Sequence, residues 1–245
     1  MSTANYDKKV KSFAYHAQAL GLSASLTRPC CENIPSLGTA SLSMTGGESY
    51  STVRNYNWKG LISFDEASAY ATGSMGQSSY DTLSTVTVRN LNFANMVHAD
   101  LLVARVTSKH VPGNPEGDIT FSGSTIQGLV VAGRPVHLEF DHRLFSDNPT
   151  YADFSRKVLA EQTGSTHSQE NATSGLLSSS LVAKVDGANG YKIAIPEFGT
   201  IYVAQVLMKT SYRRISMLRF ELGCPIKGTG EVAAGESNGV EYWPT

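Results

Sequence analysis

The stretch "STVTVRNLNF", Ser84–Phe93, sets Val86 and Val88 on one side of an extended chain and Thr85, Thr87 and Arg89 on the other. A period of two is the signature of a half-buried strand. Working outward, the same alternation returns in "ADLLVARVTS" (99–108), "DITFSG" (118–123), "STIQGLVVAG" (124–133), "VHLEFD" (136–141), "GTIYVAQVLMKT" (199–210) and "ISMLRFELG" (215–223). Val, Ile, Thr, Phe and Tyr fill these segments, and Gly, Asn or Pro separates them. The pattern predicts an all-β chain of about ten to fourteen strands, folded as a large antiparallel sandwich or barrel-like sheet. Two segments, "TVRNLNFANMVHADLLVARV" and "TIQGLVVAGRPVHLEFD", each read strand, short Asn/Gly turn, strand. They suit two hairpins of a meander, with two coils of a solenoid as the alternative.

A single all-β domain over residues 1–245 is expected, with one excursion at about 142–190. Within it, "NPTYADFSRKVLAEQTG" predicts a helix over Thr150–Thr163. Thr150 followed by Asp153 resembles a capping box, and Gly164 is a stop. Tyr151, Phe154, Val158 and Leu159 form one apolar stripe that should lie on the sheet. The polar "STHSQENATSGLLSSSL" that follows reads as a mobile loop.

Composition narrows function more than it reveals it. Charged residues make up 17% of the 245, against roughly 25% in ordinary soluble domains. Ser and Thr, about a fifth of the chain, stand in their place. A net charge of −1 gives no electrostatic reason to expect nucleic acid or an anionic membrane. No apolar run approaches the roughly 20 residues of a membrane helix. Cys30, Cys31 and Cys224 are an odd set without CxxC spacing, so they read as buried or inert thiols. The N-terminal "KKVK" and the stretch after it imitate a leader, but His16 and Gln18 interrupt it, so the chain is expected to be cytoplasmic unless a leader was removed.

Chemistry-bearing residues concentrate in "PVHLEFDH", Pro135–His142. On an extended strand His137, Glu139 and Asp141 share a face, each roughly 6–7 Å from the next. Such a spacing suits a metal or a bridging water, or acid–base work by a His–carboxylate pair. In "MVHADLL", His98 and Asp100 share a face in the same way. If the two strands were paired neighbours, two imidazoles and up to three carboxylates would converge on a metal. The alternative is a solvated strand face, where such pairs are ordinary. "SMTGGESYS" and "GTGEVAAGESNG" precede no helix, so each reads as a turn rather than a phosphate cradle. No GxSxG, HExxH, P-loop or Rossmann fingerprint is present, and no cofactor is expected. Tyr50, Tyr56, Trp58 and Tyr70 are candidates to line a glycan groove or to pack in the core.

Five segments together resemble the bacterial choice-of-anchor P domain: "FAYHAQALGLSASL", "STVTVRNLNFANMVHADLLVARV", "STIQGLVVAGRPV", "IPEFGTIYVAQV" and "MLRFELGCPIKGTGEVAAGESNG". The shared order is an Asn-Leu strand, an Ala-Asp strand, a Leu-x-Val-x-Gly strand, a Pro-x-x-Gly-Thr turn and a late small-residue strand. The resemblance implies an all-β module of exported, surface-associated bacterial proteins, with no activity to carry over. Long alternating strands and a low-charge, hydroxyl-rich surface point to a non-catalytic structural protein that forms homo-oligomers. The alternatives are a small-molecule enzyme, a hydrolase or cyclase, using His137, Glu139 and Asp141, and a module that binds a glycan or another small molecule.

Overall fold

The computed structural model describes residues 12–28, 31–141, 143–161, 169–171, 176–186, 188, 190–210 and 212–243. The chain opens with β1 (Ser12–Arg28), β2 (Glu32–Ser41), β3 (Gly47–Trp58), β4 (Ile62–Met75), β5 (Tyr80–Phe93) and β6 (Val97–His110). Short strands follow: β7 (Asp118–Thr120), β8 (Thr125–Gln127), β9 (Val130–Val131), β10 (Arg134–Pro135) and β11 (Leu138–Phe140). Helix α1 (Tyr151–Glu161) precedes β12 (Gln169–Asn171), β13 (Leu176–Ser180), β14 (Val182–Val185) and β15 (Lys192–Ile195). The chain closes with β16 (Gly199–Lys209), β17 (Tyr212–Leu222) and β18 (Lys227–Tyr242).

Two open antiparallel sheets make a sandwich. The first runs β12-β13-β16-β17-β18-β1-β2, with β15 also on β16. The second runs β10-β9-β6-β5-β4-β3, with β7 and β8 also on β6. Strands β3 to β6 form a meander; of the two segments expected as its hairpins, 87–106 is β5–β6, whereas 125–141 breaks into β8 to β11. The turn at Ala94 and Asn95 (φ 55° and 54°) and the one at Lys59 and Gly60 (φ 52° and 70°) put both central residues at positive φ, the hairpin geometry that matches strand twist. The strand count exceeds the expected ten to fourteen because the region after β6 breaks into two- and three-residue strands. "GTGEVAAGESNG", expected as a turn, lies within sixteen-residue β18. Its Gly235 marks close approach by the opposite sheet, since a Cβ there would lie 3.0 Å from Ser84 Oγ, while Gly228 and Gly239 are crowded by neighbouring β1.

A line crosses both sheets at which the alternation slips by one residue. In β5 the inward positions run Val86, Val88, then Leu91, Phe93. In β6 they run Val97, Ala99, then Leu102, Ala104, and in β4 Ile62, Phe64, then Ala67, Ala69. No residue is inserted, since Ser63↔Asn92 and Glu66↔Arg89 keep one register on either side of unbridged Asp65 and Asn90. Asn55 and Asn90 sit at φ 52°, a region that Asn tolerates better than most residues, and the Asn90 amide donates to Asp65 Oδ2 at 2.6 Å. In the first sheet the slip has the opposite sense. Met217 and Leu218 are both buried, as are Val232 and Ala233, and Val203 and Ala204. Positive φ falls there on alternate strands, at Gly38, Ala233 and Ala204. The doubled inward positions of the first sheet fill the gap in the second: a Cβ on Gly21 would stand 2.8 Å from the Ala67 Cβ. The sheets nest, and Phe93 stacks on Phe220 across the interface at 4.3 Å, adding roughly 0.5–1.5 kcal/mol beyond burial alone.

The helix begins where the sequence placed it. Thr150 Oγ1 accepts the Asp153 N–H at 3.1 Å and donates to Asp153 Oδ2 at 2.6 Å, capping the first turn. Phe154 stacks on Phe145 at 4.9 Å, and Phe145 meets Phe121 edge-on at 4.7 Å. The Gly164 stop and the Val158 and Leu159 side chains lie outside the described residues. At the start of α1, Glu116 Oε2 accepts the Tyr151 N–H and an Arg213 Nη2 hydrogen, each at 2.8 Å. The Arg213 side chain is 0% exposed. Part of the segment read as a mobile loop is strand, since β12 pairs with β13 and β13 with β16.

Candidate functional site

The structure separates the residues that the sequence put together. Among the described strands β11 pairs only with β14, in a two-stranded ribbon separate from both main sheets. Within it Glu139 lies opposite Lys184, and their side chains meet at 3.8 Å with both largely exposed, an arrangement worth at most about 1 kcal/mol. His137 is exposed, and its carbonyl accepts the Asp186 N–H at 3.2 Å. Asp141 Oδ1 accepts the N–H groups of Arg143 and Leu144 at 3.2 and 3.1 Å, so this carboxylate closes a turn. His142 lies outside the described residues. His98 and Asp100 are on β6, which pairs with β5, β7, β8 and β9 but not with β11. The convergence that paired strands would have given therefore does not arise. Asp100 folds over Gly128, where a Cβ would stand 2.0 Å from its Oδ2. Among the described residues no group of three or more His, Cys, Asp or Glu side chains could hold a metal ion. Cys31 and Cys224 are free and exposed rather than buried, and Cys30 lies outside the described residues.

A different set converges on the outer face of the first sheet. At the slip line the outward positions there are three residues apart: Ser216 to Arg219 on β17, Glu231 to Ala234 on β18, and Leu20 to Ser23 on β1. Over this face lies a groove of about 560 Å³, lined among others by Ser23, Ser36, Arg214 and Glu231, and a second of about 340 Å³ adjoins it. Arg214 anchors its floor. Its Nε donates to Glu231 Oε1 at 3.0 Å and its Nη1 to Glu236 Oε2 at 3.2 Å. A short contact joins its Nη2 to Glu231 Oε2, and another joins Ser216 Oγ to Glu231 Oε1. His16 Nε2 makes a short hydrogen bond to Glu236 Oε1. Beside them Arg219 donates to Gln205 Oε1 at 2.7 Å and lies 3.9 Å from the Tyr202 ring centre.

Residue spacing hid this cluster. Glu231 and Glu236 are five apart, as are Arg214 and Arg219, and an odd spacing puts two side chains on opposite faces of a regular strand. Only the slip returns each pair to one face. The signal available was the slip itself, the adjacent apolar pairs Met217-Leu218 and Val232-Ala233 that stand between the charged residues.

Sheet edges are the other exposed chemistry. Strand β10 is two residues long and includes Pro135, and β12 has three residues. Strand β2 carries Pro35, and its pairing with β1 shifts register. Strand β3 differs: twelve residues, no proline, and Glu48 and Arg54 as its charges. It pairs with β4 alone among the described strands. Tyr50 lies opposite Tyr70 on its outer face and is 81% exposed. Tyr56 and Trp58 instead pack against the core.

A family model described as a domain of unknown function, DUF8256, matches residues 13–169. The chain belongs to DUF8256. No curated protein and no solved structure matches it. The matched part of this DUF8256 chain carries all of β3 to β10 but leaves β13 to β18 beyond its end. No helix among the described residues of the DUF8256 chain is long and apolar enough to cross a membrane.

In this DUF8256 chain the His16–Glu236 contact sets a pH dependence. The hydrogen bond to Glu236 holds the His16 imidazole above its ordinary value of 6.5, against the downward push of partial burial. Burial pushes Glu236 up, but His16 and Arg214 outweigh it and hold the carboxyl below its ordinary 4.5. A raised histidine contributes stability that is whole below its unfolded value and lost as pH rises through the folded one. The thermal midpoint should therefore fall as pH climbs past 6.5 through the raised value. His16→Gln should lose that inflection, and salt should shrink it in the parent, because His16 is half exposed. Midpoints recorded across the pH range check this, and an unchanged inflection in His16→Gln would assign it elsewhere.

Proposed function

We propose that this chain is a non-catalytic structural protein that self-associates by strand addition at the edge of β3. The observation that carries the reading is the contrast between β3 and the other sheet edges. Those are cut short, carry proline or shift register, which are the devices by which sheets discourage pairing. Strand β3 has a long run of backbone donors and acceptors with none of those devices, which suits a second copy of the same strand. Tyr50 and Tyr70 beside it offer apolar cover for such a joint. The resemblance to the choice-of-anchor P domain supports a surface-associated setting. An enzyme working through His137, Glu139 and Asp141 draws less support, because those side chains lie along an exposed ribbon and Asp141 is engaged in a turn.

Ser51, on the partly buried face of β3, is the place to test it. An inward-pointing lysine on an edge strand is a natural guard against pairing. Ser51→Lys should disperse the assembly seen by size exclusion and electron microscopy while the protomer keeps its β-sheet circular dichroism and cooperative melt. A wild-type chain that stays monomeric at high concentration would refute the proposal.

A further inference from the structure

We infer that the groove across the outer face of the first sheet, above Arg214, Glu231 and Glu236, is a binding site for a neutral saccharide. This does not depend on the self-association proposed above, which uses the opposite sheet.

Charge balance selects the ligand class. Arg214 is held by Glu231 and Glu236, Glu236 also meets His16, and Arg219 at the groove is held by Glu221, so an anion finds no unpaired guanidinium and a cation no unpaired carboxylate there. What the groove offers is polar but neutralised. Its floor is a connected hydrogen-bonding network, and Ser23, Ser36, Asn33 and Thr229 bring hydroxyl and amide groups to the walls. Partly buried charge pairs of this kind are rigid, since Arg214, Glu231 and Glu236 are each fixed by more than one partner. Such groups hydrogen-bond to the vicinal hydroxyls of a sugar with little ordering cost. Tyr212, half buried at the rim, supplies an aromatic ring for the apolar face of a pyranose. The volume of about 560 Å³ falls within the range of ligand sites, and the adjoining 340 Å³ space shares Ser23, Ser36, Arg214 and Glu231 with it. An extended ligand therefore has a continuous path across the strands. A peptide strand lacks the partner it needs, because the floor is mid-sheet, where neighbouring strands already occupy the backbone groups.

Calorimetric titration of the full chain with short neutral oligosaccharides tests this, using gluco-, xylo-, manno- and chito-linked series beside a sulfated oligosaccharide and an extended peptide. At least one neutral series is expected to bind. Ser36 is exposed on the wall, so Ser36→Trp fills the groove without touching the core, and it should weaken that binding at least roughly tenfold with the melting curve unchanged. Tyr212→Ala should weaken it as well. No binding by any neutral series, preference for the sulfated sugar or the peptide, or undiminished binding by a folded Ser36→Trp chain would each overturn the assignment.

Discussion

Glu116→Ala is expected to destabilise the fold by about 3–5 kcal/mol, the cost of stranding a buried charge. Glu116 is the carboxylate that meets the guanidinium of Arg213, whose side chain is wholly buried. Burial already pulls the Arg213 pKa below its ordinary value, with Glu116 opposing the shift. Removing that carboxylate also strips α1 of the acceptor for its Tyr151 N–H. Glu116→Gln should recover part of the loss, since it keeps an acceptor without the charge. The double variant Glu116→Leu/Arg213→Met should be far less harmed than Glu116→Ala, because replacing a whole buried pair by apolar groups is often neutral or better. Urea titrations of the four chains measure this, and a double variant as unstable as the single would show that the helix contact, not the stranded charge, dominates.

The second large effect belongs to the slip line. Gly38 has φ +56°, and a Cβ there would stand 3.0 Å from the Ala67 carbonyl oxygen and 3.1 Å from its Cβ. The left-handed conformation costs a residue with a Cβ about 1–2 kcal/mol, and overpacking adds roughly 1–3 kcal/mol. Gly38→Ala is therefore expected to lose about 2–5 kcal/mol in total, seen as a lower urea midpoint at an unchanged slope. Ala67→Gly in the same chain should restore part of it by removing one of the two contacts. A Gly38→Ala chain of parental stability would mean that β2 yields freely at this line.

Much of the fold could be read from the chain before any coordinates. "STVTVRNLNF" showed its period, and the Thr150–Asp153 pair located the start of α1 to the residue, because capping is local chemistry. The groove could not be read in the same way. Its residues come from β1 and β2 at one end of the chain and from β16, β17 and β18 at the other, and strand pairing is a long-range outcome that alternation does not specify. Within each strand the difficulty was different. An uninterrupted period of two assigns Glu231 and Glu236 to opposite faces, whereas one left-handed residue, Ala233, reverses the pleat between them. "GTGEVAAGESNG" misled for a related reason: its glycines make room for other strands, Gly235 for the opposite sheet and Gly228 and Gly239 for β1. The residues that looked most like chemistry, His137, Glu139 and Asp141, fell on a small ribbon, because β11 left both sheets to pair with β14.

Strand β1 has β18 on one side and β2 on the other, and Ser12 lies opposite Tyr242. The first described strand is therefore completed by the last. During synthesis, the hairpins of β3 to β6 have their partners within a few residues and can form as they emerge. Strand β1 must wait for nearly the whole chain, holding the alanines and leucines of its inner face beside an unmatched edge. Pairings so distant in sequence form slowly, and an exposed edge invites the wrong neighbour. The joint between the two ends is the clasp of the sandwich, and until it shuts, the most vulnerable surface of the molecule is its own first strand.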